Sequence, residues 1–548
     1  MRRHLALIAC AALALAGCAS LPTSSPPAPF DVSARDGSGI QFSAEGPSDG
    51  SDAATLVSDF LLACAAGPQD DYATARLFLT AASARSWQPE AEILVYDTDT
   101  APAVSATSEN ASRSEVTVSV LGVASIDQAG VLTRSNGATV SRTFTLVRED
   151  GQWRIDAPEN MIVISRAALT ASYTLANLFF PSTDGTDLVA DPRWYPSRRL
   201  ASHLLAGLVD GPRASLNPVV ANAIPAGATL PSHGVEVTDG VARVELNASM
   251  PPSEAARESL QWELTRTLTQ AADVSQVSVS LTGEVMEVAA VPMPPSYSLD
   301  TLVGAGPSGV GIVSASGVAP RAVATDASNP TASPLDSSLV AWSGADGVYA
   351  EHAGTTVAFL PGYAPLGPSI DRYGWVWGPA TSASTLSVGG GADGGFDVAV
   401  ESESAGQIRA VRVSPDGSRV LVIRGTTPSA WVGVVERGPG GRPQAVRSLE
   451  QVFLDGSVVD ASWTTSTGFV IAVRGGADEG DQLVTMALGG LPSSLPLPIH
   501  VSSMSAGGSS ASVVIVGTDE AGKTQVLVRS GALWQNVAAD LSSARYAG

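Results

Sequence analysis

Hydrophobic residues change period along the chain, and each change marks a boundary. Leu56, Phe60 and Cys64 recur four apart, with Val57 and Leu61 beside them, which is the spacing of a helix with one apolar face. Tyr72 to Trp87 reads as a second helical stretch. The period then drops to two. Val116, Val118 and Val120 alternate with polar residues, as do Val140, Phe144 and Leu146, where Arg142 interrupts the apolar face. Asp150-Gly151 supplies a hairpin turn into Trp153 and Ile155. Helices followed by antiparallel strands predict an α+β domain over residues 46–185. Near its end Leu169, Tyr173 and Ala176 fall at helical spacing and Pro181 stops the run, so a helix is expected over Ser165 to Phe180.

Residues 186–290 predict a second small α+β domain. Leu200, Leu204 and Leu208 share a helix face that ends at Gly211-Pro212. The turn Asp239-Gly240 leads into an alternating strand, Val241 to Asn247. Ser253 is the expected N-cap of a helix with Glu254 at its favourable dipole end and Leu260, Leu264 and Leu268 as its stripe. Val277, Val279 and Leu281 alternate again. From about Pro292 helical spacing disappears. Short strands alternate with turns at Val340-Ala341-Trp342, at Trp375-Val376-Trp377, around Ser414-Pro415-Asp416-Gly417, at Val459 to Trp463 and at Val501 to Ser505. A recurrence of roughly 30–50 residues is that of propeller blades. It predicts an all-β propeller over residues 291–548, with about five to seven blades. A β-sandwich is the alternative. The fold class is therefore multidomain, two small α+β domains followed by an all-β propeller.

The N-terminus carries a different signal. Arg2, Arg3 and His4 precede an uncharged apolar run, Leu5 to Leu15, closed by Ala16-Gly17-Cys18. This resembles a bacterial lipobox, with residues 1–17 as signal peptide and cleavage between Gly17 and Cys18. In that chemistry the Cys18 thiol becomes an S-diacylglycerol thioether and its freed amine is acylated. Each buried methylene contributes about 0.8 kcal/mol, so two or three acyl chains hold where one does not. The run is too short for the ~20 residues of a membrane span. An ordinary cleaved signal with an incidental cysteine is the other alternative. Residues 18–45 are Ser/Pro-rich, as in Ser24-Ser25-Pro26-Pro27, and read as a tether. The expected location is the extracytoplasmic face of the cell membrane, by lipid anchor.

Charge and chemistry narrow the function. The 548 residues carry a net charge of −22, and Lys523 is the only lysine, so no basic footprint supports nucleic-acid binding. Once Cys10 is removed and Cys18 lipidated, Cys64 stands alone and is expected as a buried core thiol. Gly517 to Thr524 matches a P-loop by letters, but Gln525 to Arg529 is a β-type run, and Asp519 and Glu520 would face the phosphates. Gly46-Pro47-Ser48-Asp49-Gly50 has the letters of a nucleophile elbow but lies in a polar linker. His4, His203, His233, His352 and His500 are not paired at ligand spacing, and Asp97 with Asp99 does not complete a cation loop. The expectation is no catalytic, cofactor or metal residue, and a protein that binds rather than catalyses.

The first module's pattern is similar to the cone-shaped NTF2-like fold. Leu208-Val209-Asp210-Gly211-Pro212, Ala223-Ile224-Pro225-Ala226-Gly227, the Asp239-Gly240 hairpin with Val244-Glu245-Leu246, and the last helix and strand resemble the GerMN domain. A lipobox, an NTF2-like module, a GerMN module and a propeller, in that order, resemble the LpqB family of actinobacterial lipoproteins along nearly the whole chain. The resemblance implies a partner, the extracellular domain of the sensor histidine kinase MtrB. It also implies an accessory role, through the response regulator MtrA, in a two-component system for cell-wall and division control. Binding of a cell-wall polymer or small ligand, and a propeller-type hydrolase, are the alternatives.

Overall fold

The computed structural model describes residues 45–548 apart from 111, 136, 315–316, 363, 391–392, 402–405, 477–479, 520 and 538–540. Cys18, the Gly17–Cys18 cleavage position and the tether up to residue 44 lie outside the described residues.

The first module is a helix packed on a sheet. Asp52 leaves the helical backbone and accepts from Thr55 N at 2.9 Å, which starts the helix Ala53–Ala66. Leu56, Val57, Phe60 and Cys64 are buried, as their spacing predicts. Phe60 meets Phe78, Trp87 and Phe144 at centroid distances of 6.2, 5.5 and 5.9 Å. In the sheet the strands run in the order Gln152–Asp156, Thr139–Glu149, Arg113–Asp127, Glu92–Tyr96, Ile162–Ser165, with the last pair parallel. Arg113–Asp127 buries alternate residues along most of its length. Arg142 turns its charge to Glu159 at 3.3 Å. The stretch Tyr72 to Trp87 is not one helix. It splits into Ala73–Arg76 and Ala81–Ser86, because Leu79 bridges to Ile155 and Thr80 caps the second piece by accepting from Ser83 N at 3.3 Å.

The helix expected over Ser165 to Phe180 is corrected. Only Arg166–Ser172 is helical, and Tyr173–Pro181 is a strand. Spacing alone did not distinguish the two, since Ala176, Leu178 and Phe180 also alternate. The partner strand Leu188–Pro196 decides it, pairing from Tyr173↔Pro196 to Pro181↔Leu188 across the turn at Asp184-Gly185. Ala176, Leu178 and Phe180 share a core with Leu204 and Leu208 of the helix Leu200–Asp210 and Leu260 and Leu264 of the helix Glu254–Leu268. Ser253 caps the latter by accepting from Ala256 N at 3.2 Å. Its sheet holds Glu236–Thr238, Val241–Leu246, Gln276–Leu281 and Glu284–Val285, with the middle pair parallel. Each fully buried leucine in such a core contributes about 1.5–3 kcal/mol.

Beyond residue 300 the described residues form six four-stranded antiparallel sheets, two of them joined where Asp393–Val400 pairs with Pro443–Val452. The first sheet takes three strands from Leu302–Gly306, Gly309–Ser314 and Gly317–Ala322 and its fourth from Ser543–Tyr546, in register Leu302↔Tyr546. This pairing closes the ring, gives a six-bladed propeller and disposes of the sandwich alternative. Ionic side chains join the blades. The fully buried Asp460 lies 3.0 Å from Arg412 and 3.5 Å from Arg545, and Arg412 also donates to Leu366 O at 2.6 Å. Burial, reinforced by the Arg412 charge, lowers the Arg545 pKa to about 9.

Candidate functional site

Two features stand out, a charged seam that locks the modules together and a polar cleft beside it. The seam forms where the turn Ser414 to Ser418 of the fourth blade meets the hairpin Tyr173–Pro196. The Asp416 carboxylate accepts from Ser418 N at 3.1 Å and Ser418 Oγ at 2.8 Å, and Gly417 takes a φ of 72°. The turn is buried rather than solvent-exposed, and Arg419 beyond it donates to Ala190 O. Beside it Arg372 contacts Asp187 at 3.1 Å and Thr186 Oγ1 at 2.8 Å, while Tyr297 donates to Asp187. Tyr373 donates to Asp184 at 2.8 Å, its ring flanked by the guanidiniums of Arg372 and Arg437 at 4.8 and 4.5 Å. Burial opposes ionisation of Asp184, but hydrogen bonds from Ser182, Thr186 and Tyr373 hold its pKa at about 2. Trp194 Nε1 donates to Gly489 O at 2.8 Å. Under the seam, the fully buried Asp191 accepts from Arg193 at 2.8 Å and Arg213 Nε at 2.6 Å.

The cleft, of about 550 Å³, runs between the first module and the start of the helix Leu200–Asp210, with a second hollow of about 160 Å³ sharing four of its lining residues. On its floor, Tyr72 donates to Glu90 at 3.1 Å, and its hydroxyl lies 2.5 Å from that of Tyr173. Burial, the largest cause, raises the pKa of Glu90. Tyr72 reaches this position because Asp71 and Tyr72 both adopt left-handed backbone, with φ of 54° and 61°. Its ring lies where a Cβ on Gly67 would be, 2.1 Å from the nearest ring atom, so only glycine fits there. On the rim Asp71 contacts Arg198 at 3.2 Å and Arg199 at 3.1 Å. His203 stacks on Tyr195 at 6.2 Å, and burial followed by the Arg199 charge lowers its pKa.

Residues 46–170 match the family profile of the lipoprotein LpqB N-terminal domain, and residues 300–545 that of the lipoprotein LpqB β-propeller domain. Between them, residues 177–287 match the Germane profile, described as sporulation and spore germination. The chain belongs to the LpqB lipoprotein family. Proteins named lipoprotein LpqB from Corynebacterium diphtheriae and Thermobifida fusca are 35% identical over 244 residues and 30% identical over 296. These alignments cover 42% and 52% of this chain and 40% and 47% of the relatives, so the matched stretch spans less than half the length of either relative. LpqB relatives are named as lipoproteins and not as enzymes. Among solved structures, TolB from Acinetobacter baumannii is 15% identical at a TM-score of 0.35, covering 55% of this chain and 74% of that one. The nidogen/laminin complex is 12% identical at 0.32, covering 45% and 98%. Neither likeness adds to the LpqB assignment.

The motifs that tempt toward catalysis in this LpqB chain fall apart in space. Gly517 to Thr524 is a hairpin between Val513–Thr518 and Thr524–Ser530, in which Asp519 accepts from Ala521 N at 3.0 Å and Lys523 N at 2.9 Å; Glu520 is outside the described residues. No helix follows to hold a phosphate. Ser48 lies in a loop, its carbonyl accepting from Ser51 Oγ at 3.0 Å, and the described residues just before it, 45–47, form no strand. Cys64 is fully buried, and burial raises its pKa well above the usual thiol value. His233, His352 and His500 each face one carboxylate, at 3.8, 3.0 and 3.8 Å. Asp97 holds a local turn, accepting from Asp99 N at 3.3 Å. Among the described residues no group of three or more His, Cys, Asp or Glu could hold a metal, and no helix is long and apolar enough to cross a membrane. Sequence reasoning missed the cleft entirely, since Tyr72, Glu90 and Tyr173 lie in three separate segments and form no motif.

Proposed function

We propose that this chain is an extracytoplasmic binding protein, held at the membrane by lipid on Cys18 through the tether 18–45, that engages the outer domain of a sensor histidine kinase and modulates it. The supporting observation is the seam. A module pair and a propeller joined by the buried Arg372–Asp187 ion pair and by side-chain hydrogen bonds to main-chain carbonyls form one body, whose broad faces keep a fixed orientation. A partner then meets a pre-organised surface and spends little free energy ordering it. The kinase itself comes from the family resemblance and not from any contact in this structure.

Crosslinking of the membrane-bound protein in its own cells, followed by identification of captured species, tests this reading. Specific recovery of a sensor kinase supports it. Recovery of peptidoglycan fragments with no protein partner refutes it in favour of polymer binding. The polar cleft favours ligand binding as a second activity of the same body.

A further inference from the structure

We infer that the cleft around Tyr72, Glu90, Tyr173, Arg198, Arg199 and His203 is a binding site for a small organic anion bearing a carboxylate or phosphate. This inference does not depend on the kinase reading.

Three observations carry it. The first is charge. The chain as a whole is strongly acidic, at −22, yet this rim sets two guanidiniums against one carboxylate. The Asp71 pairs are solvent-exposed, with side chains 41%, 62% and 69% exposed for Arg198, Arg199 and Asp71. Exposed pairs of this kind are weak and screened by solvent, so a ligand anion displaces Asp71 at little cost. The helix Leu200–Asp210 opens at Arg199 without a side-chain cap, and its dipole adds positive potential there.

The second is a built floor. Tyr72 and Tyr173 are nearly fully buried, and their hydroxyls form a chain with Glu90. Glu90 accepts from Tyr72, so its carboxyl is held against the tyrosine pair, with Arg198 and Arg199 on the rim above. In the adjoining hollow the buried Tyr195 packs against Gly207 beside Arg193.

The third is backbone strain together with size. Asp71, Tyr72 and Arg199 are non-glycine residues with left-handed backbone, and all three border the one cleft. Such conformations are costly and cluster at binding sites. The volume of about 550 Å³ falls within the about 300–1,000 Å³ of ligand pockets.

Calorimetric titration of the full-length protein in detergent tests the assignment with three probes: trialanine with a free carboxylate, trialanine amide, and glycerol 3-phosphate. Saturable binding of trialanine or glycerol 3-phosphate, with no binding of the amide, is expected. Which of the two anions binds identifies the ligand head as carboxylate or phosphate. In Arg198→Gln/Arg199→Gln, whose changes are on the exposed rim, affinity should fall at least tenfold; in Tyr173→Phe it should fall severalfold with the same fold retained by circular dichroism. Absence of binding by both anions, equal binding of the amide, or unchanged affinity in the double variant would overturn the proposal.

Discussion

Arg213 donates from Nε to Oδ1 of Asp191 at 2.6 Å, and the carboxylate that receives it has no exposure to solvent. Asp191 also accepts from Arg193 and from the backbone amide of Arg213, so one carboxylate balances two guanidiniums behind the module seam. Removing one member of a buried pair leaves the other charges uncompensated, at about 3–5 kcal/mol. Asp191→Ala is therefore expected to lower the urea midpoint and to expose the hairpin Tyr173–Pro196 to hydrogen exchange. Unchanged protection of that hairpin would contradict the role given to Asp191.

Glu263 is a second buried carboxylate, with the opposite energetics. Its Oε2 accepts from Ala223 N at 2.9 Å, its Oε1 has no partner, and burial raises its pKa to about 8. The folded state binds the proton more tightly than the unfolded chain, whose value is near 4.5, so stability falls as pH rises from 4.5 to 8 and is level outside that window. Glu263→Gln should remove this slope. It should stabilise the protein by roughly 2–5 kcal/mol above pH 8 and by little below pH 4.5. Urea unfolding of both forms at pH 5, 7 and 9 measures the difference.

Lys523→Ala should leave stability within about 0.5 kcal/mol, because the hairpin it occupies is held by Asp519 accepting main-chain amides and not by the lysine side chain. Titration with a fluorescent ATP analogue should show no saturable binding in either form. A lysine-dependent signal would revive the nucleotide reading.

Cys18→Ser should shift the protein from the membrane to the soluble fraction, and mass spectrometry of the parent should show a diacylglycerol thioether on an N-terminal cysteine. A bare thiol there would remove the anchor from the proposed function.

Elements whose signals are local were legible in the sequence. Leu56, Phe60 and Cys64 mark a real helix face, Ser253 is a real cap, and the Asp-Gly pairs at 150 and 239 turn real hairpins. What failed depends on partners far along the chain. Tyr173–Pro181 is a strand because Leu188–Pro196 lies beside it, not because its own residues exclude a helix. Ser414 to Ser418 reads as a turn between two strands, but its sequence does not say that it is buried against the second module, where Arg419 and Arg372 find acceptors. Tyr72 meets Tyr173 across 101 positions, and no local pattern announces left-handed backbone at Asp71 and Tyr72. The blade count needed one pairing, Leu302 with Tyr546, that composition cannot reveal.

That pairing also governs the order of assembly. A ribosome, and any translocon downstream of it, delivers Leu302 long before Tyr546, so the opening blade must wait with an unpaired edge while five others are made. Long-range contacts of this kind are slow to form and leave sticky edges in the interim. The two modules ahead of the ring can finish early, and the hairpin that meets the seam gives the emerging blades a solid surface to gather on. The propeller thus has one moment of completion, and a nascent chain stalled before residue 543 carries an open ring that a protease would find.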